Sequence, residues 1–405
     1  THTGDQWPLV VSTGEDREPF WTPDGKGLVF LSDRSRSLSL WIVSMSRGRA
    51  GEEPRLLKDD LGRSWLSGFT ASGRLFYALA SGHAEVHLAS LDAARIETTV
   101  ISPRLALSNF YPEWSQDGRY VAYSSERSSR GRELWVHDTV SQTDSRITAD
   151  NLGVGRPFAW SPDGSTILTR GTQEQQLYLV NRHTGAIEIV AENAVQPGWG
   201  PAGILYRTGR QAALYDPRLR RVTRTFDFRD PSYAGFNVSW DGRSVLSVKK
   251  DGSFLLDEAA TTRRQAWQDP GVVSVGNHFM APLAAGVAYV ATRGQPNGTI
   301  KTLSFWHGGS PRELLRSASP EEFILAGWHG DARHLLVVRW TARPETRLRK
   351  ETLWLVPIDG GTPTNTGLTM EGLRDVSIHP DGRRIAFNAG WKMNEHWVMD
   401  NLLPK

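Results

Sequence analysis

The sequence predicts an all-β fold, a single closed β-propeller built from four-stranded blades. A short turn motif returns at intervals of roughly 40 to 50 residues along the 405-residue chain, which is the spacing of propeller blades. Each copy lies between short runs rich in Val, Ile, Leu, Tyr and Trp, which are residue types that favour strands. No segment shows a sustained helical period, so helix should be scarce.

The turn motif is clearest as Trp-Ser-Pro-Asp-Gly at residues 160–164, with related copies at 21–25, 114–118 and 378–382. Pro sets φ for the first corner of a tight turn, Asp can bond to its own backbone, and Gly accepts positive φ. The motif therefore predicts strand, tight turn and strand. We expect the carboxylates of these turns to brace the backbone rather than to catalyse, namely Asp24, Asp117, Asp163, Asp241 and Asp381.

The strands of each repeat follow from the runs on either side of the turn. The first repeat predicts strands at 19–21, 28–32, 38–45 and 54–58. The third repeat predicts strands at 111–114, 120–124, 133–138 and 145–148. Alternating directions place the tight turns on one face and the longer, irregular loops between second and third strands on the other, where we expect binding.

The turn glycines give the number of repeats. Eight turn glycines each mark one repeat, and a degenerate turn at 330–332, between Gly286 and Gly382, marks a ninth. Nine blades are therefore predicted, with eight as the alternative, although eight would discard one complete four-strand unit. The marker glycines are Gly25, Gly73, Gly118, Gly164, Gly203, Gly242, Gly286 and Gly382.

The two ends of the sequence predict how the ring is closed. The last repeat supplies strands at 375–378, 384–388 and 396–399, but no fourth strand. Residues 7–12 form a strand-like run that has no repeat of its own. We therefore predict a single domain over residues 1–405, in which the strand at 7–12 completes the last blade (375–399) by pairing with 396–399.

The composition of the chain argues against several classes of function. Hydrophobic residues make up 39% of the chain and there are 16 Trp, enough for a packed core, while the absence of Cys excludes disulfides and thiolate chemistry. The net charge of +3 is spread along the chain, which does not favour nucleic acid. No apolar run is long enough to insert in a membrane. We expect a monomer, and the start at Thr1 suggests a removed signal peptide or upstream domain.

The motifs resemble the PD40 (TolB-like) β-propeller repeat over essentially the whole chain. The resemblance rests on the turn motif, on the third-strand runs at 40–43, 134–137 and 353–357, and on the C-terminal run at 376–387 with 397–404. This C-terminal run is similar to the ends of propellers in bacterial signalling and regulator proteins. The resemblance implies a partner- or ligand-binding module and a periplasmic or extracytoplasmic location. Related repeats also occur in oligogalacturonate lyases and beside peptidase domains.

Candidate ligand-binding residues come from the first strands, which should line the central channel, and from the cationic loops. No catalytic motif, metal site or cofactor site is predicted, although eleven His residues are present. The favoured function is a non-catalytic binding or sensor module for a protein segment or a small, acidic ligand. The alternative is a polysaccharide (uronate) lyase or hydrolase using Tyr111, Arg156 and His278. The full set of candidates is Tyr111, Glu113, Arg156, Tyr233, Asn277, His278, Arg374, Arg130 and Arg347.

Overall fold

The fold is described by a computed structural model, which shows only β-strands, turns and loops in the residues that it describes. In this part of the chain, no helix has the length and apolar character needed to cross a membrane. The described residues are 6–35, 37–92, 96–101, 108–128, 131–148, 154–171, 176–282, 286–295, 298–317, 319–341, 350–390 and 393–403.

Thirty-six strands follow one another in these residues. The first nine are β1 (Asp16–Trp21), β2 (Gly27–Ser32), β3 (Ser39–Ser46), β4 (Arg49–Ala50), β5 (Arg55–Lys58), β6 (Arg63–Phe69), β7 (Leu75–Ser81), β8 (Ala84–Ser90) and β9 (Thr98–Val100). The next twelve are β10 (Ser108–Trp114), β11 (Tyr120–Ser128), β12 (Gly131–Asp138), β13 (Thr143–Arg146), β14 (Val154–Trp160), β15 (Thr166–Gly171), β16 (Leu177–Asn181), β17 (Ile187–Ala191), β18 (Val195–Gly200), β19 (Gly203–Thr208), β20 (Gln211–Asp216) and β21 (Arg221–Asp227). The last fifteen are β22 (Tyr233–Val238), β23 (Ser244–Lys249), β24 (Ser253–Glu258), β25 (Arg264–Gln268), β26 (Val272–Met280), β27 (Val287–Gln295), β28 (Gly298–Trp306), β29 (Arg312–Ser317), β30 (Glu321–Trp328), β31 (His334–Thr341), β32 (Lys350–Pro357), β33 (Thr364–Glu371), β34 (Arg374–Ile378), β35 (Arg384–Gly390) and β36 (Met393–Met399).

The chain divides into two compact units. The smaller unit comprises Thr1–His83, Glu126–Gly131 and Trp391–Lys405, and the larger one comprises Ala84–Ser125 and Arg132–Gly390. The smaller unit holds a five-stranded sheet of β1 to β5 and the three-stranded sheet β36-β7-β6. The larger unit holds seven four-stranded antiparallel sheets, six of them made of consecutive strands from β10 to β33. The single domain expected over residues 1–405 stays a prediction.

Two sheets recombine strands of the second and the last repeats. The seventh sheet of the larger unit has the order β34-β35-β8-β9, with Phe387 opposite His87. The third strand of the last repeat, β36, instead pairs with β7 of the second repeat, with Trp397 opposite Tyr77. The described residues therefore form nine sheets, as many as the repeats counted, but the sheets do not follow the repeats one to one.

The predicted pairing of residues 7–12 with 396–399 is wrong. Residues 7–12 contain no strand, and β7 occupies the position beside β36 over seven residues. Leu9 and Val10 pack instead against the apolar cluster of β2 and β3, and Ser12 begins a local turn in which Gly14 donates to its Oγ. A long strand in continuous register offers more ladder hydrogen bonds than this short run does, which explains the preference.

The tight turns are as the sequence predicts. In the turn at 161–166, Gly164 N donates to Ser161 O over 2.9 Å, and Ser165 N donates to the Asp163 carboxylate over 3.0 Å. Gly164 has φ of +67°, a left-handed conformation that costs glycine little. The Asp residues of these turns therefore brace backbone. The strands on either side are also confirmed, for example β1, β2, β3 and β5 of the first repeat.

Apolar clusters fill the spaces between neighbouring sheets. Phe254 of β24 stacks on Trp267, which in turn stacks on Trp306 of the next sheet with ring centres 4.3 Å apart. In the larger unit, the first strands also contact one another in the order β10, β14, β18, β22, β26, β30 and β34, and β34 contacts β10 again. The contacts between first strands therefore form a cyclic series.

The pairing of most first strands in the larger unit is interrupted by register shifts, and several of these shifts fall at polar residues. The shift in β18 falls at Gln196 (φ +51°) and the shift in β34 falls at Asp375 (φ +50°). Tyr111 in β10 has φ of +56°. A bulge adds an unpaired residue to one strand and changes the direction of its side chain, and bulges are common beside functional sites. These bulges position the site described below.

Candidate functional site

A cavity of about 310 Å³ lies among the first strands of the larger unit. Its polar lining comes from five strands or turns of different sheets, and its apolar lining includes Trp240, Phe279 and Trp328. Enclosed cavities with a few convergent polar groups are the usual form of a small-ligand site. The polar lining residues are Glu113, Arg156, Asp241, Asn277, Asp375 and Ser377.

Arg156 is the central cation of the cavity. Its Nη1 lies 3.3 Å from Asp375 Oδ1, and its guanidinium lies 4.1 Å from the ring centre of Trp240 and 5.5 Å from that of Tyr111. An arginine between two aromatic faces has lost much of its hydration, and contact with the ring faces replaces part of it. The side chain is therefore held in place by groups from three other sheets.

Asp375 is the anion around which three arginines gather. Burial raises the pKa of Asp375, and the charges of Arg156, Arg374 and Arg132 oppose that rise. The Asn388 amide connects this group: in the amide orientation that satisfies both neighbours, it donates to Asp375 Oδ2 over 2.6 Å and accepts from Arg374 Nε over 3.1 Å. Asn388 has no solvent exposure, so its orientation is fixed by the network.

Glu113 faces the same cavity from β10. Burial raises its pKa to about 8, against the opposing effects of the Arg156 charge and a hydrogen bond from Ser377. The side chain lines the cavity and is mostly surrounded by protein, so water stabilises its charge less than it would at the surface. At neutral pH this carboxyl group is mainly protonated and can donate a hydrogen bond to a ligand.

The structure brings together five of the predicted site residues. Glu113, Arg156 and Asn277 line the cavity, as expected for first-strand positions. Tyr111 lies against Arg156 and Arg132, and Arg374 lies 3.9 Å from Asp375 with its Nη1 donating to Gly372 O. The lining reaches Trp240 and Asp241 in the β22–β23 turn, at the opposite end of the strands from the loops where we expected binding.

Two predicted residues lie away from the cavity. His278 has no solvent exposure and its Nε2 lies 3.2 Å from Ser244 Oγ, between neighbouring sheets. Burial lowers the pKa of His278 to about 3, so the ring is neutral. The prediction that it faces the channel is wrong, because side chains alternate along β26: Asn277 and Phe279 line the cavity, and His278 between them points the other way. Tyr233 packs edge-on against Phe228, 5.2 Å between ring centres.

The two predicted loop arginines, Arg130 and Arg347, lie outside the residues that the structure describes. Sequence reasoning missed Asp375, Asn388 and Trp240. Asp375 follows directly after Arg374 in a predicted first strand, and that position was a usable signal. Asn388 comes from a second strand, and Trp240 stands in a turn position usually held by Pro, so neither had a pattern that pointed to the centre.

Comparison with curated proteins shows similarity over a short segment of the chain. No family model matches the chain. A curated relative, the uncharacterized peptidase YuxL of Bacillus subtilis, is 39% identical over 57 residues, which is 14% of this chain and 8% of the relative. The chain therefore matches only a small part of that protein's length.

Similar solved structures are distant. A chain assigned as TolB from Agrobacterium tumefaciens has 13% identity and a TM-score of 0.48, covering 77% of this chain and 99% of that chain. The hydrazine synthase of Kuenenia stuttgartiensis has 12% identity and a TM-score of 0.47, covering 72% and 94%. A chain of a mitotic checkpoint complex has 14% identity and a TM-score of 0.45, covering 69% and 86%.

Proposed function

We propose that the protein is a non-catalytic binding module that takes a carboxylate-bearing ligand into the central cavity of its larger unit. The observation that carries this proposal is the gathering of three arginines around Asp375, a mostly buried carboxylate that lines the cavity. Buried charges are costly, so a cluster with more cations than anions is more often retained for binding than for stability.

The charge balance favours an anion. Among the described groups, Arg132, Arg156 and Arg374 carry three positive charges, whereas Asp375 and the lining residue Asp241 supply two carboxylates and Glu113 is mainly protonated at pH 7. The cations therefore outnumber the carboxylates that can be charged. A carboxylate can be bound by guanidinium groups in bidentate fashion and can accept a hydrogen bond from protonated Glu113. The aromatic side chains of Trp240 and Phe279 would pack against the carbon skeleton of the ligand.

We also propose that the seven sheets of the larger unit form a closed ring around the cavity. The support is the cyclic order of contacts between first strands, which returns from β34 to β10, and the pairing of β35 with β8. The proposed ring has seven blades where the sequence predicted nine, since β1 to β5 belong to the smaller unit and the second and last repeats exchange strands. A monomer in an extracytoplasmic compartment stays a prediction of the sequence.

Calorimetric titration with succinate and citrate tests the ligand class. We expect saturable binding that weakens at least tenfold in Arg156→Gln and in Arg374→Gln, and that is unchanged in Arg218→Gln. Arg218 is the matched control because its side chain is 88% exposed and lines a different cavity of the same unit. No saturable binding, or equal affinity in all three variants, would overturn the proposal.

The alternative of a uronate lyase is not supported by the geometry. A lyase needs a cation for the uronate carboxylate and a base for the adjacent proton. Tyr111 and Arg156 lie together, but His278, the third candidate from the sequence, is held on Ser244 between sheets. New unsaturated ends from an acidic polysaccharide incubated with the protein would revive this alternative.

A further inference from the structure

The turn between β30 and β31 carries two histidines and one aspartate in contact. His329 Nδ1 lies 3.2 Å from Asp331 Oδ2, and His334 Nδ1 lies 2.6 Å from the same oxygen. One ligand atom from each of these three residues lies within 4.8 Å of the other two. The side chains of Asp331 and His334 are 37% and 35% exposed, so an ion in solution can reach them.

This composition differs from that of the other turns. In an ordinary turn of this chain the first position is a hydroxyl that donates to the Asp, as Thr22 does to Asp24 over 2.6 Å. The sixth position of such a turn, Gly27 in this case, offers no metal-ligating side chain. The turn at 329–334 places imidazole at both positions, which are the two places that face the carboxylate.

The turn at 379–384 is a natural comparison. It also begins with histidine, His379, whose Nδ1 lies 2.9 Å from Asp381. Its sixth residue is Arg384, whose Nε donates to Asp381 over 2.8 Å and whose Nη2 lies 2.6 Å from His379 Nε2. In that turn a fixed cation of the chain already lies beside the carboxylate, whereas the corresponding position of the 329–334 turn is His334.

We propose that His329, Asp331 and His334 bind a divalent transition-metal ion of the zinc type. Two imidazoles and one carboxylate, with water in a fourth position, form a ligand set that zinc accepts. Metal–ligand distances of about 2.0 to 2.2 Å require neighbouring ligand atoms roughly 3.3 Å apart in a tetrahedron. The His329–Asp331 distance of 3.2 Å is close to this value, whereas the His334–Asp331 distance of 2.6 Å is shorter. All three ligand atoms lie within 4.8 Å of one another, so side-chain rotations that move His334 Nδ1 away from Asp331 Oδ2 would complete the site. Nitrogen ligands favour Zn²⁺, Ni²⁺ or Cu²⁺ over Mg²⁺ and Ca²⁺.

The proposed metal site does not depend on the proposed carboxylate site. The proposal rests only on the residues of this one turn and does not require a ligand in the cavity. The turn itself is held by backbone contacts, because Gly330 N donates to Gly382 O over 3.0 Å and His329 N donates to His334 O over 2.9 Å. A preformed backbone lowers the entropic cost of bringing the ligands together.

The test is calorimetric titration of the complete chain, free of any histidine tag, with ZnCl₂ and separately with MgCl₂. We expect one equivalent of Zn²⁺ to bind and no heat from Mg²⁺. His334→Arg should weaken Zn²⁺ binding at least tenfold while the metal-free melting temperature stays within about 2 °C, because Arg384 is accommodated at the same place of the 379–384 turn. His307→Gln, which removes an exposed histidine elsewhere, should leave binding unchanged.

Two results would overturn the inference. One is the absence of saturable Zn²⁺ binding to the unaltered chain at micromolar to millimolar concentrations. The other is an affinity that His334→Arg leaves unchanged, which would place the ion on other residues. As a second readout, Zn²⁺ should raise the melting temperature of the unaltered chain and of His307→Gln but not of His334→Arg, because a ligand that binds only the folded state stabilises it.

Discussion

Arg156 and Asp375 are 219 positions apart in the chain, and their side chains meet with Nη1 3.3 Å from Oδ1. The two residues belong to first strands of different sheets, β14 and β34. Neither residue has a sequence motif that points to the other. Their contact depends on which sheets bring their first strands together within the larger unit.

Removing either member of this pair should destabilise the protein, and the effects should not add. Arg156→Gln leaves a buried carboxylate with one cation fewer, and Asp375→Asn leaves three arginines near one another. We expect each change to cost about 2 kcal/mol of unfolding free energy, with a coupling of roughly 1 kcal/mol in the double variant. Urea denaturation of the four proteins measures this cycle, and purely additive losses would show that the pair does not interact.

The raised pKa of Glu113 predicts a dependence of stability on pH. The folded-state pKa of about 8 lies above the ordinary value of 4.5, so between these values the folded state holds a proton that the unfolded state has lost. Stability should therefore fall as pH rises from about 5 to 8, at up to ~1.4 kcal/mol per pH unit. Arg156 and Ser377 face Glu113, and Asp241 and Asp375 line the same cavity. Burial raises the pKa of both aspartates as well, so the difference from a Glu113 variant isolates the contribution of Glu113.

The matched variant for this effect is Glu113→Gln, which keeps the shape but cannot ionise. Its stability relative to the unaltered protein should improve steadily from pH 5 to pH 8. Guanidinium denaturation at four pH values gives the comparison. If both proteins have the same pH slope, Glu113 does not hold a proton in the folded state.

The exchange of strands between repeats predicts a specific cross-link. The chain has no Cys, so two introduced cysteines can pair only with each other. Val398 lies opposite Phe76 in the β36–β7 ladder, and both side chains are close to half exposed. The variant Phe76→Cys/Val398→Cys should form an intramolecular disulfide under mild oxidation, seen as a shift in non-reducing electrophoresis.

The control for this cross-link keeps the cysteine at 398 and moves the other to residue 11. Val11 lies in the segment that we predicted as the partner of 396–399, and its side chain is 81% exposed. Val11→Cys/Val398→Cys should remain unlinked. Cross-linking in this control, but not in the first variant, would restore the pairing predicted from the sequence.

The turn carboxylates should contribute to stability through backbone contacts. Asp163 accepts hydrogen bonds from Ser165 N, over 3.0 Å, and from the hydroxyl groups of Ser161 and Ser165. Asp163→Ala should lower the unfolding free energy by about 1 kcal/mol, whereas Asp163→Asn keeps an acceptor and should lose less than half as much. Thermal unfolding of the two variants distinguishes them, and equal losses would mean that the charge matters more than the acceptor.

The sequence determines the local structure of this protein. The turn at 161–166 closes on its own residues, through Ser161, Asp163 and Gly164, so the motif alone predicts it. Strand positions follow for the same reason, since alternation of apolar and polar residues is a property of six or seven neighbouring residues. The first-strand positions Glu113, Arg156 and Asn277 were predicted at the channel because they depend on this local order.

Only the tertiary structure decides which strand pairs with which and which polar groups meet. The edges of β7, β8, β35 and β36 are chemically alike, because every strand offers the same backbone donors and acceptors. Which of these strands pair, β36 with β7 and β35 with β8, therefore depends on the packing of side chains far apart in sequence. A bulge in β34 falls at Asp375, which lines the cavity, whereas the register of β26 places Asn277 and Phe279 at the cavity and His278 away from it. A shift of one residue exchanges the faces of a strand, and no pattern of neighbouring residues records that shift.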